Sequence, residues 1–258
     1  MINQNIKAHM SETLKKGIRY DGRKLDEFRN VEIETDVSKS AEGSAIVKLG
    51  DTIVMAGVKI EMVTPYDDSP DEGTLMVNAE FAPMADPDFE SGPPSINSIE
   101  LARVIDRGIR ESETIDVKKL CVKEGEKVWS VGVDLITINN DGNLLDCAGL
   151  AAMAAIKNAR LPEIDSDGKV DYKHKSDNPL PIEKEPVSVT VHVIGDSIIV
   201  DPTKDEEEAS DARLTVASIN KNIICAMQKG GSKTLTVDQV SEMVDLAFKK
   251  AEEIRKNL

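Results

Sequence analysis

Three arginines are spaced along one segment so that they could bind an anion together. If residues 98–112 form a helix, successive residues turn by ~100°, and Arg103, Arg107 and Arg110 fall within an arc of roughly 60°. Because guanidinium groups pair bidentately with phosphate, this face fits the backbone of single-stranded RNA. The opposite face of the helix carries its apolar residues, which are Leu101, Val104, Ile105, Gly108 and Ile109.

The same spacing also fits a purely structural arrangement. Glu100, Asp106 and Glu111 lie three or four positions from one or another of the arginines, where ion pairs along a helix form. Such pairs would occupy the guanidinium groups. The spacing alone therefore leaves both interpretations open.

A second candidate site is the turn that precedes a long apolar segment. Asn140-Asp141-Gly142 leads into residues 143–160, where nearly every position around a helix is apolar or small. Such a helix is typical of a core. The free amides at a helix start attract anions, so this turn is a candidate site for a small phosphorylated ligand. Asp141 and Asp146 add negative charge there.

The overall charge limits which polyanions the chain can attract. Its 258 residues include 32 Lys and Arg against 47 Asp and Glu, for a formal net charge of -15. This balance argues against broad, nonspecific attraction to nucleic acid or to an anionic membrane. Any contact with RNA must therefore come from a local basic cluster.

The cysteines and the N-terminus indicate a cytoplasmic protein. Cys121, Cys147 and Cys225 lie far apart and form no C-x-x-C pair, which favours free thiols over a disulfide framework or a zinc site. Residues 1–13 lack the apolar core of a signal peptide, and no run approaches the ~18 apolar residues of a membrane span. We expect no membrane association, no metal and no cofactor.

Strand and helix patterns must position these candidate sites. Residues 45–49 and 52–56 are strand-like and flank Gly50-Asp51, which predicts a hairpin. The other elements predicted before residue 163 are a short helix over 6–16, a strand over 74–82, a helix over 98–112, a strand over 127–139 and a helix over 143–160.

A polar segment with several prolines, residues 163–186, separates this part from a second one and is predicted to be a linker. Beyond it, strands are predicted over 187–194, 197–200, 212–218 and 221–227, and a capping box at Thr236–Gln239 begins a final helix. The pattern predicts an α+β chain of two similar halves packed together. The expected regions are an N-terminal helix and arm over 1–30, an N-terminal domain over 31–162, the linker over 163–186 and a C-terminal domain over 187–258.

Five segments, in order along the chain, resemble the ribonuclease PH family, to which the ring subunits of exosomes belong. The resemblance spans nearly the whole chain from Gly17 to the C-terminal helix and implies a ribonuclease-PH-like fold. The matching segments are Gly17–Arg23 with the pattern R-x-D-G-R, the hairpin Glu42–Val54, the helix Glu100–Arg107, the Asp141-Gly142 turn and Val200–Thr203.

The resemblance implies phosphorolysis, in which inorganic phosphate attacks the last phosphodiester at an RNA 3′ end and releases a nucleoside diphosphate. Active members carry Gly-Ser/Thr-Arg at the helix start, where the chain has Gly142, Asn143 and Leu144. Leucine cannot replace a guanidinium as a phosphate ligand. Phosphate binding at this vestigial site is therefore expected to be lost or badly weakened.

Active members also carry two aspartates six residues apart, which suit proton transfer or metal binding. Asp201 and Glu207 stand at the matching positions, and we interpret them as vestigial carboxylates. An acidic run such as Asp205–Glu208 is more typical of a solvated turn. The arginines of the entry pattern, Arg19 and Arg23, are expected to anchor the N-terminal segment, and His192 is expected to be structural.

The closest resemblance is to the non-catalytic ring subunit of the archaeal exosome. It implies a subunit with no catalytic residue of its own, which pairs with a catalytic paralogue so that three heterodimers form a hexameric ring carrying RNA-binding cap subunits. It also implies that Arg103 and Arg107 line the path of single-stranded RNA, with Arg110 beside them.

Two other functions stay open. The chain could be an active phosphorolytic exoribonuclease that uses Asp201 and Glu207. With the resemblance set aside, it could be a two-domain metabolic enzyme that binds a small phosphorylated ligand at the Asp141-Gly142 helix start.

Overall fold

The computed structural model describes residues 4–165 and 169–258. A helix, α1 (Gln4–Lys15), precedes a sheet of six strands with the order β1-β2-β3-β6-β4, in which β5 also pairs with β6. These strands are β1 (Val31–Thr35), β2 (Gly43–Leu49), β3 (Thr52–Val63), β4 (Thr74–Phe81), β5 (Cys121–Lys123) and β6 (Lys127–Asn139). The predicted hairpin is confirmed, with Gly50 at φ +58° in its turn.

Two helices pack on the large sheet. They are α2 (Ile96–Glu111), capped by the Ser95 side chain, and α3 (Leu144–Asn158). Leu101, Ile105 and Ile109 of α2 are buried, as the amphipathic pattern predicts. In α3 nearly every side chain is buried, because one side packs against β2 and β3 and another side faces the second half of the molecule.

The second half is built on a four-stranded sheet with the order β10-β9-β11-β12. Its elements are β9 (Val187–Ile194), β10 (Ser197–Val200), α4 (Lys204–Ala209), β11 (Ala212–Asn220), β12 (Ile223–Gly231) and α5 (Val237–Ile254). The sheet lies between α5 on one side and α3 on the other, so α3 joins both sheets into one core. The predicted α+β class is confirmed.

A hairpin and a short helix, besides the three-residue strand β5, were not predicted. The region expected to be a linker contains most of a hairpin of β7 (Arg160–Ile164) and β8 (Val170–Pro179), which its prolines and polar residues conceal. The acidic run expected to be a solvated turn forms α4, in which Glu206 is buried and Glu207 half-buried. The division into domains stays a prediction.

The N-terminal helix packs at the β10 edge of the second sheet. Met10 and Leu14 of α1 pack against Ile194, Ile199 and Ala209 and form a small separate core. No helix within residues 4–165 and 169–258 is both long and apolar enough to cross a membrane.

The close approach of α3 to β2 yields a prediction about Gly43. A Cβ at this position would collide with the Ala155 carbonyl oxygen and lie 2.6 Å from the Ala159 Cα, both rigid backbone atoms. We expect Gly43→Ala to lower the free energy of unfolding by about 2 kcal/mol in chemical denaturation.

Gly57→Ala is the matched control, since its added Cβ meets nothing closer than the Ala41 Cβ at 3.9 Å. It should change the free energy of unfolding by less than about 1 kcal/mol. Equal losses in the two variants would show that α3 does not approach β2 as closely as described.

Candidate functional site

The arginine face of α2 is partly free and partly occupied. Arg110 donates two hydrogen bonds to Asp106, at 2.7 and 3.1 Å, and a third to the Leu75 carbonyl at 2.8 Å. Arg103 and Arg107 are exposed, and no ion pair or hydrogen bond joins either side chain to another residue in the described part of the chain. The structural interpretation therefore fits Arg110, whereas the guanidinium groups of Arg103 and Arg107 are available to a ligand.

Glu100 does not neutralise this face. Its carboxylate lies 2.7 Å from the guanidinium of Arg213 on β11. Glu100 lies three positions before Arg103 and could have paired with it, but it pairs with Arg213 instead. This leaves two unpaired positive charges on one face of a helix in a chain of net charge -15.

The turn before α3 has the geometry of an anion site, but the protein itself fills it. Gly142 and Asn143 have φ of +85° and +58°, and they turn the Asn143 amide outward from the first turn of the helix. That amide donates to Oε2 of Glu207 at 3.1 Å. A carboxylate of the same chain therefore occupies a position where an external anion would bind.

Another backbone segment lies close to Gly142 in this turn. A Cβ on Gly142 would lie 2.6 Å from the Pro202 carbonyl oxygen and 2.7 Å from the Lys204 nitrogen. The segment after β10 is thus packed directly against the turn. Leu144, which the resemblance matches to the arginine of active members, packs against the hydrophobic core.

Asp201 is the centre of this arrangement and is fully buried. Its carboxylate accepts hydrogen bonds from Arg23 at 2.7 Å, from the Arg29 side chain at 2.7 and 2.9 Å, from the Arg29 amide at 2.7 Å and from Asn143 at 2.9 Å. Burial raises the pKa of Asp201, but the hydrogen bonds and charge of Arg29 outweigh it and hold the pKa below its usual range. The group stays ionised and its oxygens are engaged, so it is poorly placed for proton transfer.

Arg29 was not identified from the sequence. Besides Asp201, it donates to the side chain and the carbonyl of Asp141, at 3.0 and 2.8 Å, and to the Gly142 carbonyl at 3.1 Å. It lies in the loop before β1, outside every matching motif. Since its partners are more than 100 residues away, no spacing pattern could reveal it.

Two more carboxyl groups border the turn. Asp146, in the first turn of α3, accepts hydrogen bonds from the amide and hydroxyl of Thr190 and from Asn143, at 3.1, 2.7 and 3.1 Å. Burial raises the pKa of Asp146 to about 7 and also raises the pKa of Glu207. Because Thr190 lies on β9, Asp146 connects the two halves of the molecule.

The entry-pattern arginines anchor the arm, as predicted. Arg19 is buried, forms two hydrogen bonds with Glu206, at 2.9 and 2.5 Å, and donates to the carbonyls of Val200 and Asp201. His192 is also buried, and its Nδ1 lies 3.1 Å from the Ser210 hydroxyl. Burial lowers the pKa of His192 to about 3, so the ring is neutral, which fits the structural role expected of it.

Comparison with known proteins places both halves in one family. Residues 27–162 match the model of domain 1 of the 3′ exoribonuclease family, the ribonuclease PH domain, and residues 184–250 match the model of domain 2.

Similar proteins cover nearly the whole chain. A protein of Methanopyrus kandleri named exosome complex component Rrp42 is 44% identical over 98% of this chain and 96% of its own length. The protein of the same name from Archaeoglobus fulgidus is 48% identical over 92% of this chain and 89% of its own length.

Solved structures agree with these matches. A chain of the Archaeoglobus fulgidus exosome with RNA bound to the active site superposes with a TM-score of 0.91 at 45% identity, covering 98% of this chain and 97% of that one. A chain of an archaeal exosome core gives 0.85 at 42% identity, covering 98% and 95%. Rice Rrp46 gives 0.70 at 20% identity, covering 92% and 96%, and shows a likeness of fold alone.

The hydrogen bonds of Arg29 yield a stability prediction. Arg29→Met removes the main partner of a fully buried carboxylate, so we expect the free energy of unfolding to fall by about 3 kcal/mol. Adding Asp201→Asn in the same chain should recover part of that loss, because the unpaired charge is then gone.

Arg110→Met removes an arginine whose side chain is half exposed and should cost less than about 1 kcal/mol. Denaturant titrations of the three variants measure these differences. If Arg29→Met costs no more than Arg110→Met, the buried ion pair does not hold the arm and the turn together.

Proposed function

Since the chain belongs to the 3′ exoribonuclease family, also called the ribonuclease PH family, we propose that it is the non-catalytic subunit of an exosome ring. In this role it binds single-stranded RNA and completes the active site of a catalytic paralogue that degrades RNA from its 3′ end. The names of the archaeal relatives support the proposal. So does the likeness to a chain of an exosome with RNA bound to the active site.

The hydrogen bond from the Asn143 amide to Glu207 carries the proposal that this subunit is inactive alone. Phosphorolysis needs inorganic phosphate bound as the attacking group, commonly at a helix start together with an arginine. Here an internal carboxylate takes the amide, and Leu144 stands in place of the arginine. Phosphate would have to displace Glu207 and then bind close to the carboxylates of Asp201 and Asp141.

The nearby arginines do not restore that site. Arg29 is the cation nearest the turn, but it is held by Asp201 and Asp141. Arg23 is likewise bound to Asp201 and to Asp21. Asp201 is therefore a structural anchor in this proposal, and Glu207 is an internal anion.

The RNA-binding role is supported by the free arginines of α2. Arg103 and Arg107 present two exposed guanidinium groups that can pair with consecutive phosphates. Two contacts give modest affinity, but three copies around a ring opening, together with contacts from cap subunits, act on the same strand. Arg110 would then support this face through Asp106 more than it binds RNA directly.

The proposed assembly is three heterodimers of this chain and its catalytic paralogue in a hexameric, cytoplasmic ring with RNA-binding cap subunits. Co-purification with a paralogue that carries Gly-Ser/Thr-Arg at the helix start would support it most directly.

The first functional prediction concerns the isolated chain. Incubated with RNA and inorganic phosphate, it should release no nucleoside diphosphate, because its phosphate site is filled by Glu207. The measurement is chromatography of the products, with the catalytic paralogue added back as the positive control. Release by the isolated chain that disappears in Asp201→Ala would mean that the subunit is an exoribonuclease in its own right.

The second functional prediction concerns the arginine face. In the assembled ring, Arg103→Gln combined with Arg107→Gln should weaken RNA binding by roughly tenfold or more. If all three copies contact the strand, the six lost guanidinium groups should reduce the salt slope of log K by about 4, at roughly 0.7 per phosphate contact. Fluorescence anisotropy at several salt concentrations measures both quantities.

Arg110→Gln is the comparison variant and should weaken RNA binding less, since Arg110 is already held by Asp106. Light scattering checks that the ring stays intact in all variants. Unchanged RNA affinity in the double variant would refute the proposed RNA-binding face.

A further inference from the structure

A groove of about 440 Å³ runs beside the free arginines, between α2 and the β11–β12 hairpin. Its floor includes Thr215 and Ala217 of β11, both buried, and Ala226 and Gln228 of β12, which are their strand partners and are half-buried. The volume lies within the range of about 300–1,000 Å³ that small-molecule sites occupy.

The walls of the groove are mostly apolar. Ile99 and Val104 line it from α2, and Met227 lines it from the edge strand β12. Ile99 is 46% exposed and Met227 43% exposed, so an occupant could bury both. Such walls favour a flat, apolar ligand over an ion or a strongly hydrated group.

One polar group in the groove is uncommitted. The Gln228 side-chain amide makes no hydrogen bond with another residue in the part of the chain that the structure describes. A side-chain amide can both donate and accept hydrogen bonds. It can therefore hydrogen-bond with the polar edge of a ring that lies against the apolar walls.

The charges around the groove favour a ligand that carries a negative charge. Arg103 and Arg107 stand at its rim with unpaired guanidinium groups. Glu100 is the carboxylate among the lining residues, and its ion pair with Arg213 reduces its repulsion of an anion. A ligand that matches all of this has a phosphate at the rim and a flat ring inside.

We propose that the groove binds a nucleobase of the RNA strand whose phosphates lie on Arg103 and Arg107. This inference rests on the proposed RNA-binding function and goes beyond it, because it gives this subunit contact with bases and not only with the backbone. The phosphate contacts are independent of sequence, whereas a base inserted in the groove adds apolar contact and a hydrogen bond with Gln228.

The test uses the assembled ring and two RNA probes of equal length, one with intact bases and one with abasic riboses in its 3′ half. Two variants alter the groove alone: Ala226→Leu fills it, and Gln228→Met removes the amide at nearly constant volume. Lys229→Met is the matched control, since Lys229 is exposed, does not line the groove and loses its charge in this variant.

We expect each groove variant to weaken binding of the intact probe by about threefold to tenfold and to leave the abasic probe unchanged. The combined Arg103→Gln and Arg107→Gln variant should weaken binding of both probes. Lys229→Met should change the binding affinity for the two probes equally.

Other outcomes would distinguish a failure of the base site in the groove from a failure of the RNA-binding arginine face. If the arginine variant weakens both probes but the groove variants weaken neither, the base site is refuted and the arginine face stands. If the arginine variant weakens neither probe, the RNA-binding face itself is refuted. If either groove variant dissociates the ring, a protein partner covers the groove and the base site is refuted.

Discussion

The buried ion pair of Arg29 and Asp201 is the interaction on which the rest of the site depends. A fully buried carboxylate is costly unless charges and hydrogen bonds compensate it. Asp201 obtains that compensation from the arm, through Arg23 and Arg29, and from the turn before α3, through Asn143. Because these segments lie far apart in the sequence, one carboxylate fixes how the N-terminal arm, α3 and the second sheet meet.

That constraint also determines which groups of the turn before α3 are left to bind a phosphate. The groups that would cradle an external phosphate are used for internal bonds: the Asn143 amide for Glu207, and Arg29 for Asp201 and Asp141. The Asn143 amide and the Arg29 guanidinium are therefore engaged without a ligand. The arginine face of α2 is separate from this network, so the proposed RNA-binding role does not depend on a phosphate site in this chain.

Local patterns in the sequence predicted much of this structure. The apolar α3, the hairpin at Gly50-Asp51 and the single arginine face of α2 follow from spacing and turn chemistry, which act over a few residues. Arg29 escaped prediction because its role depends on partners over 100 residues away. The hairpin of β7 and β8 escaped because its prolines and polar residues are typical of a linker. In α4, neighbouring Glu206 and Glu207 bind different partners, Arg19 and Asn143, which no acidic run reveals.

The central claim is that this subunit has filled its own phosphate site with Glu207, and phosphate binding by the isolated chain tests it most directly. Inorganic phosphate is titrated into the full chain by isothermal calorimetry, with the catalytic paralogue as the positive control. The account predicts no saturable binding to this chain at phosphate concentrations that saturate the paralogue. Saturable binding of one phosphate per chain at those concentrations would contradict it.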